Sequence, residues 1–253
     1  MSAQAEFARI AAEDGRAALV TALGGPQPAK LLVRADGTSE GTLGDEALDR
    51  AARKEAEELM WAERSELREI QGASLFVDVT APAPRLVIFG AVDYAAALSS
   101  LARAAGWRPY VCDPRSQFAT ADRFPEAEGV LAAWPEEAFR RLGGIDRATY
   151  IAVLTHDPKL DDAALSIAVR SDAPYVGAMG SRRAQARRRE RLLEAGLDEQ
   201  LVDRIAAPIG LDLGAVSPEE TALSILAEVV AVRNGRAGGR LSEAGGRIHE
   251  VGA

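Results

Sequence analysis

Between residues 85 and 233, short apolar runs alternate with helix-like stretches, and this rhythm constrains the chain more than any other feature. Leu86-Val87-Ile88-Phe89 and Tyr150-Ile151-Ala152-Val153-Leu154 are continuously apolar. A strand apolar at every position must be covered on both faces, which is the signature of a parallel sheet flanked by helices. Pro109-Tyr110-Val111-Cys112 and Tyr175-Val176-Gly177-Ala178 read as further strands, with helices predicted over 94–105, 161–170, 182–194 and 218–233. The alternation predicts an α/β fold, a Rossmann-like doubly wound parallel sheet, over residues 85–234.

A smaller N-terminal α+β domain is expected over residues 1–80. It comprises a helix over 3–12, strands over 17–22, 30–34 and 74–79, and a long amphipathic helix over 45–69. Residues 24–28 and Asp36-Gly37 supply turns. Two prolines in Ala81-Pro82-Ala83-Pro84 favour a stiff connector between the domains. Residues 235–253 are rich in Gly and Arg without periodicity and read as a mobile tail.

With 253 residues and 47% apolar content, the chain can bury one good core and a smaller second one. No apolar run approaches the roughly 20 residues of a membrane helix, and the N-terminus lacks the pattern of a signal peptide. Cys112 is the only cysteine, so no internal disulfide forms, which fits a reducing, cytoplasmic setting. A formal charge of -8 argues against nucleic-acid partners, which require a basic face.

In an open parallel sheet, ligands bind beyond the carboxyl ends of the strands, so the strand list becomes a site list. Gly90 follows the first strand of the large domain, but Val92 stands where a dinucleotide fingerprint needs its second glycine, and Asp93 adds negative charge. Asp93 is expected to cap the following helix. Asp113 ends the second strand where a ribose-binding acid belongs; it reads equally as the start of an Asp113-Pro114 turn. Cys112 reads as a buried small hydrophobe. Thr155-His156-Asp157 follows the next apolar strand. His156 is favoured as a ligand-facing group and Asp157 is placed with it, whereas Asp161 and Asp162 read as acids complementing a helix dipole.

Gly180-Ser181-Arg182-Arg183 combines a tight turn, a helix-capping serine and two cations, and suits an anion such as phosphate. Arg187, Arg188, Arg189 and Arg191 read mostly as a solvated face interleaved with Glu190 and Glu194. Gly210 and Asp212 are placed at the crevice from the loop beyond, and Ser217-Pro218-Glu219-Glu220 is a capping box. No metal-ligand set and no catalytic group is assigned.

These blocks, in this order, resemble the XdhC/CoxI family, accessory factors for xanthine dehydrogenase and carbon monoxide dehydrogenase. The matching pieces are Leu86-Val87-Ile88-Phe89-Gly90-Ala91, Val111-Cys112-Asp113-Pro114-Arg115, Arg123-Phe124-Pro125, Leu154-Thr155-His156-Asp157, the segment from Tyr175 to Arg183, Pro208-Ile209-Gly210-Leu211-Asp212, and Ser217-Pro218-Glu219-Glu220 running into Leu226-Ala227-Glu228. Val33-Arg34-Ala35-Asp36-Gly37 and Gly41-Thr42-Leu43-Gly44 match the family's N-terminal part more weakly.

The resemblance implies a chaperone that binds molybdenum cofactor (molybdopterin) as cargo and assists its sulfuration or insertion into an apo molybdenum hydroxylase. A cysteine desulfurase as partner and a homodimer are implied with it. Two departures stand out. The family's Gly-x-Gly-like loop is replaced at Val92-Asp93, and no cysteine occupies its glycine-glycine-cysteine element near Leu43-Gly44-Asp45-Glu46. The alternative is an NAD(P)-dependent oxidoreductase using the same crevice, kept open by Asp113 and His156 and disfavoured by the incomplete glycine fingerprint.

Overall fold

The computed structural model describes residues 2–24 and 28–245. The expected turn at 24–28 and the expected tail from 235 fall partly outside these residues. The chain divides into two compact units, one built from the chain up to Pro82 and one running from Ala83 to Ala244.

The first unit is an antiparallel sheet of β1 (Ala17–Ala22), β2 (Lys30–Arg34), β3 (Ser39–Thr42), β4 (Glu66–Ile70) and β5 (Ala73–Thr80), ordered β3-β2-β1-β5-β4. Helix α1 (Ala3–Ala12) covers one face, packing Phe7 and Ile10 on Ala17, Leu19 and Leu32. Helix α2 (Glu46–Ala62) covers the other, setting Ala52, Ala56, Leu59 and Met60 against Val20, Leu31 and Val77. Central strand β1 is therefore buried on both faces, and its sequence is apolar throughout except Thr21.

The helix expected over 45–69 is too long. It stops at Glu63, which takes the left-handed conformation at φ 56°, and Glu66–Ile70 turns back as a strand paired with β5. Glu, Leu and Arg all favour helices, but pairing with a neighbouring strand outweighs a local preference of a few tenths of a kcal/mol per residue.

The second unit is a parallel sheet with helices on both faces. Its strands are β6 (Arg85–Phe89), β7 (Arg108–Cys112), β8 (Gly129–Leu131), β9 (Thr149–Val153), β10 (Tyr175–Ala178) and β11 (Ile205–Ala206), ordered β11-β10-β9-β6-β7-β8. Counted from the first strand of the unit this is the 3-2-1-4-5-6 order of a Rossmann sheet, with its switch point between β6 and β9.

Helices α3 (Asp93–Ala104) and α8 (Pro218–Arg233) pack Leu98, Ala102, Ile225 and Val229 against Leu86 and Ile88. On the opposite face lie α4 (Pro135–Arg141), α5 (Pro158–Ala168) and α6 (Arg182–Glu194), with Phe139, Leu160, Leu165 and Leu192 over Val87 and Phe89. Alternate residues of β6 thus serve two cores, which is why Leu86 to Phe89 includes no polar position. Short α7 (Glu199–Val202) leads into edge strand β11. Among the described residues, no helix is long and apolar enough to cross a membrane.

Candidate functional site

Because the strands of the second unit are parallel, the loops leaving β6, β7, β9, β10 and β11 all emerge at one edge of the sheet. The ten residues singled out from the sequence lie on these loops or at their helix entries.

After β6, Gly90 adopts φ +110°, and a Cβ there would stand 3.1 Å from the backbone nitrogen of Thr155. The glycine is needed so that the β6 and β9 loops can approach each other. Asp93 does not cap α3. It is the first residue of the helix, Val92 is the N-cap, and no side chain bonds the cap. Asp93 instead sits exposed 3.5 Å from Arg123 Nη2, while Arg123 Nη1 donates to the Ala91 and Phe118 carbonyls at 3.1 and 3.2 Å.

Asp113 is fully buried at the end of β7. Oδ2 accepts from Ala91 N at 2.9 Å and Arg115 Nη2 at 2.7 Å; Oδ1 accepts from Arg115 N and Nε, each at 2.9 Å. Burial pushes its pKa up, but the Arg115 fork and the two backbone donors outweigh burial and hold it below the ordinary value. A carboxylate offers about four acceptor positions, so Asp113 as placed is committed to bracing the β6 loop. A ribose diol would have to compete with these bonds. Cys112 beside it is buried, and desolvation, with the Asp113 charge, pushes its thiol up to about 12. Its burial fits the small hydrophobe that its strand-end position suggested.

Beyond β9, Thr155 is buried and its Oγ1 accepts from Asp157 N at 2.8 Å. Asp157 caps α5 through Lys159 N at 3.0 Å, so the helix begins three residues before the expected start. His156 is exposed between them. Among the described residues no group of His, Cys, Asp and Glu side chains could hold a metal ion.

The β10–α6 turn is the most elaborately supported of these loops. Gly180 has φ +136°, Ser181 Oγ accepts from Ala184 N at 3.2 Å, and Gln185 Nε2 donates to the Ala178 and Gly180 carbonyls at 3.2 and 3.3 Å. Arg182 and Arg183 are exposed at the entry of α6. Beneath them Arg188 is buried, donating from Nη2 to Asp161 Oδ2 at 2.8 Å and to the Met179 carbonyl at 3.0 Å, and from Nη1 to Gln185 Oε1.

This corrects two expectations. Asp161 is not a solvent-facing acid at a helix end, and Arg188 does not belong to a solvated face. Burial raises the Asp161 carboxyl above its ordinary value against the pull of Arg188. Arg189 and Arg191 also reach across, to Asp203 and Asp162. The periodicity held the clue: Asp161 lies four residues before buried Leu165, and Arg188 four before buried Leu192.

The loop after β11 is tied to α8. Gly210 has φ +101°, a Cβ there would meet Ser224 Oγ at 2.4 Å, and its N–H donates to Glu228 Oε2 at 2.8 Å. Tyr175 OH donates to the same carboxylate, whose bracing role no sequence pattern announced. Asp212 lies farther along the loop, exposed. Ser217 and Glu220 form the expected capping box.

Sheet order and switch point define a Rossmann fold, preceded in the chain by a small antiparallel unit. The chain belongs to the XdhC/CoxI family: the XdhC Rossmann domain matches residues 86–229, and the XdhC and CoxI family domain matches residues 10–71. A probable xanthine dehydrogenase subunit from Bacillus subtilis is 30% identical over 64% of this chain and 47% of its own length. The molybdenum cofactor insertion chaperone PaoD of Escherichia coli is 31% identical over 60% of this chain and 41% of its own. The chain thus spans less than half the length of these relatives. A crystal structure described as a xanthine dehydrogenase from Bacillus halodurans superposes with a TM-score of 0.64 at 21% identity, covering 92% of this chain and 67% of that one, and shares the fold.

Proposed function

We propose that this protein is an accessory factor in the maturation of a molybdenum hydroxylase, holding molybdenum cofactor as cargo at the strand-end crevice and assisting its sulfuration or its insertion into the apoenzyme. The observation that carries the reading is the β10–α6 turn. There a serine-capped helix start and the exposed Arg182 and Arg183 present donors and positive charge to a phosphate. By contrast, the β6 loop has Val92 and Asp93 where a dinucleotide pyrophosphate would need glycine and no charge. Family membership and the likeness to an insertion chaperone support the same reading.

In this reading Gly180, Ser181, Arg182 and Arg183 take the phosphate, and His156, Asp157 and Asp212 face the rest of the cargo. Gly90, Asp113 and Gly210 shape the loops around it. The partners are the apo-hydroxylase and a cysteine desulfurase, and the factor acts as a cytoplasmic homodimer. The test is mass spectrometry of small molecules that co-purify from a host making the cofactor, beside co-expression with an apo-hydroxylase. A pterin phosphate retained by the protein and a raised active fraction of the hydroxylase are expected. Absence of both signals, with cofactor supply confirmed, would sink the proposal.

The Rossmann strand order favours a second reading, an NAD(P)-dependent oxidoreductase. Calorimetric titration with both nicotinamide cofactors decides between the two. Tight binding that is lost in Asp113→Ala would favour the enzyme.

A further inference from the structure

We propose that the outward face of α8 is the surface through which two copies of this chain associate, their helices running antiparallel across a two-fold axis beside Leu226 and Ala227. The proposal deepens the homodimer of the accessory-factor reading by naming its interface, and it does not depend on the cargo.

Helix α8 is apolar on both of its sides. Ala222, Ile225 and Val229 are fully buried in the core shared with α3 and the sheet. On the opposite side Leu223 is 52% exposed and Val230 37%. Seven residues bring an α-helix back to within about 20° of the same direction, so these two share one stripe. Ala227 stands between them, half-buried. Val216, just before the capping serine, is 85% exposed. An apolar residue there commonly packs back on its own helix; Val216 does not. A helix that is hydrophobic all round is a helix that is covered all round, yet among the described residues this stripe stays open.

The charges favour a second copy laid antiparallel. Glu219 is in the first turn of α8 and Arg233 in the last, and both are exposed. They are two heptads apart and so lie along one flank of the stripe. Arg233 lies over the Trp107 ring, 5.3 Å from its centroid, which holds its guanidinium at that flank. A two-fold axis beside Leu226 and Ala227 sets Glu219 of each copy against Arg233 of the other, and Leu223 of each against Val230 of the other. Such an interface is self-complementary, as a two-fold dimer requires. Ala227 near the axis has no bulk to hold the helices apart. A parallel pair would instead set Glu219 against Glu219 and align the two helix dipoles.

The test is light scattering of the full chain on a sizing column, over a concentration series reaching roughly 100 μM. A dimer is expected. Leu223→Glu places a charge in the stripe and should weaken the dimer by about tenfold or more, with circular dichroism unchanged. Should that variant unfold, Val230→Lys makes the same test. Glu219→Arg should weaken association, and adding Arg233→Glu should restore it. A monomer at every concentration would overturn the proposal and remove the homodimer from the functional reading with it, leaving the stripe to a different protein. A dimer indifferent to both stripe substitutions would overturn the proposal alone, because the copies then meet elsewhere. Weakening by Glu219→Arg without recovery in the double variant would overturn the antiparallel pairing.

Discussion

Arg188 on α6 and Asp161 on α5 are joined by a 2.8 Å ion pair in which both side chains are almost completely buried. The Arg188 nitrogen in this pair also holds the Met179 carbonyl, so the pair ties the helix after β9 to the turn after β10. Arg188→Met leaves the Asp161 carboxylate buried without its partner and should cost about 3–5 kcal/mol. Converting Asp161 to Asn as well should recover part of that loss, because the residual charge is removed. Denaturant melts of the single and double variants measure this, and equal stability of the two would show the pair is not coupled.

Arg182 and Arg183 lie on the same helix yet are exposed, and the contrast with Arg188 is itself a prediction. Arg182→Ala should leave the melting temperature where it was while weakening binding of a phosphorylated pterin several-fold. Unchanged affinity would reduce the turn to a structural device.

Asp113 makes stability depend on pH. Its folded pKa is held below the ordinary 3.8, the Arg115 and Ala91 donors outweighing burial. A depressed folded value contributes stability that is present above the unfolded pKa and lost as pH falls through the folded one. The melting temperature should therefore fall on acidification below about pH 4. Asp113→Asn should flatten part of that limb while lowering the plateau at neutral pH. A limb of identical slope in the variant would remove Asp113 from the account.

Gly210 combines a positive φ with a Cβ position 2.4 Å from Ser224 Oγ. Gly210→Ala should destabilise by about 1–3 kcal/mol. The double variant with Ser224→Ala should regain only the part due to the clash, since the backbone strain stays. Full recovery in the double variant would mean the φ carries no penalty.

Cys112 should resist thiol reagents in the native state, being buried with a thiol pushed up to about 12. Labelling at the rate of global unfolding is the expected kinetics. Rapid labelling at neutral pH would show the strand end opens locally.

Much of the second unit was legible in the chain. Val87 and Phe89 serve one core and Leu86 and Ile88 the other, so the need to cover both faces was written as an unbroken apolar run. Ser181 and Ser217 announced two helix starts, and both caps form. Short elements were missed: β8, α4, α7 and β11 are too brief for a period to register. At Asp93 the cap was misplaced by one residue, because the chain reaches helical geometry directly after Val92.

What the sequence determined by itself was the class of fold and which loops leave the strands at one edge of the sheet, because periodicity and capping are local and survive in a linear reading. Only the tertiary structure decided what the charged residues do. Asp113 braces Ala91 from 22 positions away and Asp161 takes Arg188 from 27 away. Whether a carboxylate is free for a ligand or already spent depends on donors that strand order and helix packing bring to it.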